Sequence, residues 1–302
     1  MSINVAPPRI LFITPEAVFR PEAGDNRTYS IDTNGADFDR FPAELVGELF
    51  DLGVDVYVAQ PDFRNIFKKR SRKDIVRKVG NLPCDRFYLA EDRVIFYSRP
   101  MDTNSEWENI KISIAFQREV INQIIPRVQP DLIHCCDWMT GLIPAAARSY
   151  KIPCLFTVQK FDTAVSFLSY VEDRGIDAAA FWQYLYCERY PISYEETRET
   201  NPADFLLSGV FAADFVTTSR LAFLANGCRS QSLFVNFPLW QVLVKKIESG
   251  CATVHQHPAK TKQYIGIYEK LLHPGTLKPE PDDYNLPKIK QINKRNIKRC
   301  LL

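Results

Sequence analysis

No apolar run in this chain approaches the roughly 18 residues of a membrane-spanning helix. The N-terminus likewise lacks a charged segment followed by a short apolar one, the pattern of a secretory signal. Neither a membrane protein nor a secreted one is expected. The eight cysteines, at 84, 135, 136, 154, 187, 228, 251 and 300, contain no pair at C-x-x-C spacing. That usage suits a reducing compartment, and the expected location is cytoplasmic. Charge is nearly balanced at +2 over 302 residues, so no sequence-wide basic field points to nucleic acid as a partner. No G-x-G-x-x-G follows the first apolar run, and G-x-x-x-x-G-K-[ST] does not occur. Dinucleotide oxidoreductases and P-loop enzymes need those backbone loops to hold phosphate, so both classes drop out. His255 and His257 have no acidic or cysteine partner at ligand spacing, and no metal is expected. Internal repeats and low-complexity linkers are also missing.

What remains is an ordinary globular composition, 46% hydrophobic and 25% charged, which can build a core without disulfides. Residues 9–14 form a continuous apolar run ended by Pro15 and Glu16, as expected of a strand buried on both faces of a parallel sheet. Residues 41–50 set Phe41, Leu45 and Leu49 on one helical face, with Gly53 as the stop. Residues 54–59 alternate and close at Pro61, completing a βαβ unit. Further along, residues 87–89 and 94–97 read as a hairpin, 109–128 as a helix and 154–158 as a strand. Residues 177–190 read as an aromatic-rich helix packed in the core, 205–211 as a helix and 215–218 as a short strand. The fold class expected is α/β, a doubly wound Rossmann-like parallel sheet. Two basic stretches, 64–78 and the tail from Pro287, read as solvated segments. The regular pattern fades beyond Asn226, giving residues 1–225 as one domain and 226–302 as an extension with a basic tail.

Residues 130–144 are the most informative. Leu132, Ile133, His134, Cys135 and Cys136 make a buried strand that stops at Asp137 and Trp138, and Thr140 and Gly141 open the next helix. Ligands of open parallel sheets sit outside the carboxyl ends of the strands, which is where Asp137 falls. A carboxylate there can accept from ligand hydroxyls or can cap the helix that follows, for about 1 kcal/mol. Spacing alone leaves both open. Glu16 ends the first strand at the same sheet edge. Cys135 and Cys136 read as buried thiols, because adjacent cysteines bridge poorly.

This segment resembles the His-x-x-Asp-Trp signature of bacterial glycogen and starch synthases, which transfer glucose from a sugar nucleotide to an α-glucan. The resemblance continues in order along the chain. Residues 10–16 are similar to the family's opening strand. Residues 41–45, with 53–56 and Pro61, look like its Leu-Pro-x-x-Leu helix and Gly-His-Asp-Val strand. Phe156, Thr157 and Val158 fall where the family has Thr-Val-His-Asn, and residues 205–218 resemble a segment ending Ala-Asp-x-Val-Thr-Thr. The family is glycosyltransferase family 5, and the matching part is its starch synthase catalytic domain, the N-terminal half of a GT-B enzyme. The resemblance implies an α-1,4-glucan acceptor and ADP-glucose or UDP-glucose as donor, with no cofactor besides that substrate. It also implies catalytic positions at Asp137 and Gln159, and substrate-binding positions at Glu16, Trp138, Thr140 and Gly35.

The departures from the family pattern bear on activity. Where the family carries Lys-x-Gly-Gly-Leu, whose lysine and amides hold the donor's phosphates, residues 30–37 here contain no lysine and place Asp32 in the region. A charge-assisted hydrogen bond is worth roughly 1.5–3 kcal/mol, so its loss implies weak donor binding. The histidine expected after Thr-Val is Gln159, which can donate a hydrogen bond but carries no proton or charge. In the family's Leu-Lys-x-Gly turn this chain has Leu207 and Ser208. Residues 290–295 look like the family's lead into its second Rossmann-like half. The reading is therefore a domain with weak or no transfer by itself, for which a separate chain supplying the C-terminal half is a candidate partner. A catalytically silent glucan-binding or regulatory module is the alternative.

Overall fold

The computed structural model describes residues 7–15, 19–22, 25–31, 41–61, 82–90, 105–218, 233–254 and 261–273. The opening apolar run forms β1 (Arg9–Ile13), and an antiparallel pair follows, β2 (Phe19–Glu22) and β3 (Asp25–Ile31). Helix α1 (Phe41–Asp51) turns at Gly53, whose φ of 79° is in the left-handed region that glycine enters freely, and leads to β4 (Asp55–Pro61). A two-residue β5 (Leu82–Pro83) pairs with β3. Residues 87–89 belong to β6 (Phe87–Ala90), which lies parallel to β4 with Phe87 opposite Val58. The other arm of the expected hairpin, residues 94–97, lies outside the described residues.

Helix α2 (Glu106–Glu119) opens on a capping box. Ser105 Oγ accepts from the Glu108 N–H at 3.3 Å, and the Glu108 carboxylate accepts from the Ser105 N–H at 3.0 Å. The helix widens to a π turn over Val120–Ile124 before continuing as α3 (Ile125–Val128). Pro126 supplies the reason, since it lacks an N–H and its ring crowds the carbonyl four residues back. Next come β7 (Leu132–Cys136), a 3-10 turn (Trp138–Thr140), α4 (Ile143–Ser149), β8 (Cys154–Val158), β9 (Val165–Ser166) and α5 (Leu168–Glu172).

In place of the helix expected over 177–190, the chain makes two 3-10 turns, Ala178–Ala180 and Trp182–Tyr184. Phe181, between them, leaves helical geometry at φ −144° and buries its ring. Trp182, Tyr184 and Tyr186 are partly buried against the same core, so the aromatic residues pack inward without a continuous helix. The chain continues through α6 (Tyr194–Thr200), β10 (Ala203–Asp204), α7 (Phe205–Ala212), β11 (Phe215–Thr218), α8 (Leu233–Glu248), β12 (Ala252–Val254) and α9 (Thr261–Leu272).

Seven parallel strands form one sheet in the order β12-β11-β8-β7-β1-β4-β6. Helices cover both faces. Side chains of α2, α4, α7 and α8 belong to one core, and those of α1 and α9 to the other. The pleat sends Cys135 to the first core and Cys136 to the second. Both thiols are buried, and Cys135 Sγ lies 4.0 Å from Cys154 Sγ. Residues 233–254 and 261–272, read from the sequence as an extension, add the edge strand β12 beside β11 and lay α9 over β7. Among the described residues no helix is long and apolar enough to cross a membrane. Nor does any group of three or more His, Cys, Asp or Glu among them fit a metal ion. His255 and His257 lie outside the described residues.

Candidate functional site

From β1 the sheet grows in one direction through β4 and β6 and in the other through β7, β8, β11 and β12. The order therefore reverses between β1 and β7, and a crevice opens outside the carboxyl ends of strands at such a switch point. β7 delivers Asp137 to that edge, neighbouring β8 delivers Gln159, and β1 delivers Thr14 and Pro15. Glu16 and Gly35 lie outside the described residues.

Asp137 does not cap the helix. Its side chain makes no capping bond. Instead, Oδ1 accepts from the backbone N–H groups of Gln159 at 2.7 Å and Lys160 at 3.0 Å. Its own N–H donates to the Thr157 carbonyl at 3.1 Å. The backbone of Asp137 sits at φ 60°, ψ 175°, a region essentially reserved for glycine and worth about 1–3 kcal/mol of strain. The contacts just named fix that conformation, so one residue joins the ends of β7 and β8. Asp137→Ala is expected to raise amide hydrogen exchange at Gln159 and Lys160 by about tenfold to a hundredfold, since a bond to a charged acceptor is worth roughly 1.5–3 kcal/mol. Unchanged protection at both amides would refute the clamp.

Thr140 and Trp138 hold the turn. Thr140 is fully buried, with its hydroxyl 2.8 Å from the Cys136 carbonyl and 3.0 Å from that of Asp137. Trp138 is also buried, and its ring tilts against Phe205 at 6.5 Å. Gly141 follows, packed so closely on α7 that a Cβ would lie 1.9 Å from the Phe205 carbonyl oxygen. Ser208, which follows Leu207 at the family's lysine position, is fully buried and accepts from the Tyr186 N–H at 2.9 Å. It ties down the segment after the 3-10 turns.

Gln159 is 6% exposed, with its N–H committed to Asp137. Beneath it runs a polar chain that motif reading misses. His134 is fully buried, with Nδ1 2.7 Å from the Tyr268 hydroxyl of α9 and Nε2 2.7 Å from Thr157 Oγ1, which lies 2.7 Å from Thr217 Oγ1. Tyr264 stacks on the imidazole at 5.4 Å between ring centres. Burial pushes the His134 pKa down to about 3 and that of Tyr264 up to about 12, while the Tyr268 phenol rises well above its usual value. The signal available in the sequence is a histidine inside an otherwise apolar strand, which must find partners when buried.

Residues 40–220 match the family described as the starch synthase catalytic domain. The chain belongs to that family. The starch synthase domain is similar to the glycogen synthase of Geobacillus thermodenitrificans (strain NG80-2), 31% identical over 131 residues that cover 38% of this chain and 27% of the relative. It is also similar to the glycogen synthase of Cellvibrio japonicus (strain Ueda107), 26% identical over 204 residues covering 58% of this chain and 40% of the relative. The catalytic domain of starch synthase IV from Arabidopsis thaliana, bound to ADP and acarbose, superposes with a TM-score of 0.53 at 14% identity, covering 83% of this chain and 51% of that one. That likeness establishes the fold, a doubly wound sheet of the GT-B kind. The starch synthase domain thus spans less than half the length of these curated relatives.

Proposed function

We propose that this glycogen/starch synthase-like domain recognises an α-1,4-glucan and the glucose of ADP-glucose or UDP-glucose, and that its transfer of glucose is weak or nil in isolation. The observation that carries the reading is the Asp137 clamp at the switch point, where a strained carboxylate and the Gln159 turn share one rim. Strained residues concentrate at functional sites. Asp137 and Gln159 take the positions nearest the reacting sugar, the family resemblance assigns Glu16 and Gly35 to substrate binding, and Trp138 and Thr140 support the turn. Transfer breaks the bond from the glucosyl carbon to the diphosphate and makes one to a glucan hydroxyl, so the departing charge needs donors and cations. Replacement of the family's lysine motif by residues 30–37 supports the weak-transfer part of the reading. The ADP and acarbose bound by the Arabidopsis relative support nucleotide and saccharide recognition.

Gln159 in place of histidine also favours a second reading, a silent glucan-binding or regulatory module. Radiolabelled ADP-glucose incorporation into glycogen separates the two when combined with co-sedimentation. Binding to glycogen is expected, with little incorporation by the 302 residues alone. Robust turnover by this chain would overturn the weak-transfer reading. Incorporation that appears when Asp32→Lys and Gln159→His are combined with a complementary C-terminal half favours the enzyme, whereas binding that never gains transfer favours the module.

A further inference from the structure

Helix α9 is remote from the rim in sequence, yet it is bonded to the strands that build it. Thr261 at its start donates to the Glu48 carboxylate of α1, which seats the helix on the second core. One turn apart on its inner face, Tyr264 and Tyr268 are both buried and close over His134 of β7. The first stacks on the imidazole, and the second meets it edge-on at 5.8 Å between ring centres. Phe12 of β1 packs edge-on against the same ring at 4.7 Å. The imidazole is fully buried, so water cannot replace a partner that is lost. Thr157 is the junction to the rim. Its hydroxyl meets His134 Nε2, while its carbonyl lies in the sheet and accepts from the Asp137 N–H. A neutral imidazole has one donor and one acceptor nitrogen. In either tautomer, the bond between Nδ1 and the Tyr268 hydroxyl therefore fixes the role that Nε2 plays toward Thr157. Chains of this kind polarise and strengthen one another in a low-dielectric interior. Asp137, at the far end, holds a glycine-like backbone conformation that persists only while its contacts do.

We propose that Tyr268 and His134 are positioning residues for the rim: through Thr157 they hold the backbone of Asp137, so that the seating of α9 sets the order of the Asp137 clamp. Residues 226–302, read from the sequence as an extension, thereby contain an element on which the rim depends. Coupling of this kind is reciprocal, and the clamp in turn favours the seated helix. The strut stands on the clamp geometry and not on the glucan reading, and its test needs no ligand.

Amide hydrogen exchange at Asp137, Gln159 and Lys160, followed in the full chain, is the measurement. Tyr268→Phe keeps the ring and removes the hydroxyl, and is expected to speed exchange at these amides about tenfold. Ile125→Val, a buried change in α3 before the amino end of β7, has a comparable cost to stability and is expected to leave them within about twofold of the wild type. Thr157→Val cuts the chain at its middle and is expected to match Tyr268→Phe, whereas Thr157→Ser restores the hydroxyl and stays near the wild type. Because both cuts fall in one chain, combining Tyr268→Phe with Thr157→Val is expected to speed exchange no more than either alone. Effects that multiply to about a hundredfold in the double variant mean that α9 and Thr157 act independently, and overturn the strut. Rim amides untouched by Tyr268→Phe overturn it too, as does Thr157→Ser exchanging like Thr157→Val. Equal effects of Ile125→Val and Tyr268→Phe would show that these amides report only global unfolding, which also removes the strut.

Discussion

Gly141→Ala is expected to lower the free energy of unfolding by at least about 3 kcal/mol, a large share of the 5–15 kcal/mol typical of a domain. The usual reason for conserving glycine does not apply, because Gly141 has an ordinary helical φ of −68° that alanine prefers. Space decides instead. The added methyl would sit 1.9 Å from the oxygen and 2.5 Å from the carbon of the Phe205 carbonyl, and both are backbone atoms. Phe205 cannot retreat easily, since its N–H donates to the Ala164 carbonyl at 2.9 Å and Asp204 Oδ1 caps α7 through the Leu207 N–H at 2.9 Å. The 3-10 turn must move away from α7, taking Asp137 with it. Gly266→Ala in α9 is the matched control, with nothing within 4 Å of the new methyl. It is expected to stabilise by up to about 1 kcal/mol through helix propensity. Urea midpoints of the two variants that shift alike would show that packing at Gly141 is not the determinant.

The parts of this fold visible in the sequence are those whose local pattern suffices. Strands buried on both faces are continuous apolar runs, and β1, β7, β8 and β11 lie within a residue of where those runs fall. The antiparallel pairing of Val165–Ser166 with Ala203–Asp204 is hidden, because two-residue strands have no period to detect. Helix α9 was legible in principle: Tyr264, Ile267, Tyr268 and Leu271 recur at helical spacing and are all buried. At the site, the strand end marks Asp137 as a candidate. Its glycine-like backbone and the amides that hold it depend on β8, more than twenty residues away, and no local pattern carries that information. Thr140 and Trp138 adjoin Asp137 in the sequence, and their burial comes from a 3-10 turn that no local pattern announces.

Acid is expected to destabilise this domain through His134. The ring is neutral in the fold, its pKa lowered from 6.5 to about 3 by burial, and the side-chain groups on its nitrogens are the hydroxyls of Tyr268 and Thr157. In the unfolded chain the same ring takes up a proton near pH 6.5. Between those values the unfolded state binds more protons than the folded one, so the stability associated with His134 is complete above pH 6.5 and is lost as pH falls toward 3. The loss is about 1.4 kcal/mol at pH 5.5 and about 2.7 kcal/mol at pH 4.5. Carboxylates contribute their own acid dependence, so the informative quantity is the difference between the wild type and His134→Gln, which cannot titrate. Urea denaturation at pH 7.5, 5.5 and 4.5 is expected to show the variant less stable at neutral pH, with a shallower decline below pH 6.5. Tyr268→Phe should cost about 1–3 kcal/mol at neutral pH by stranding one ring nitrogen. Parallel pH profiles for wild type and His134→Gln would mean that the imidazole titrates normally in the fold, contrary to its burial between the sheet and α9.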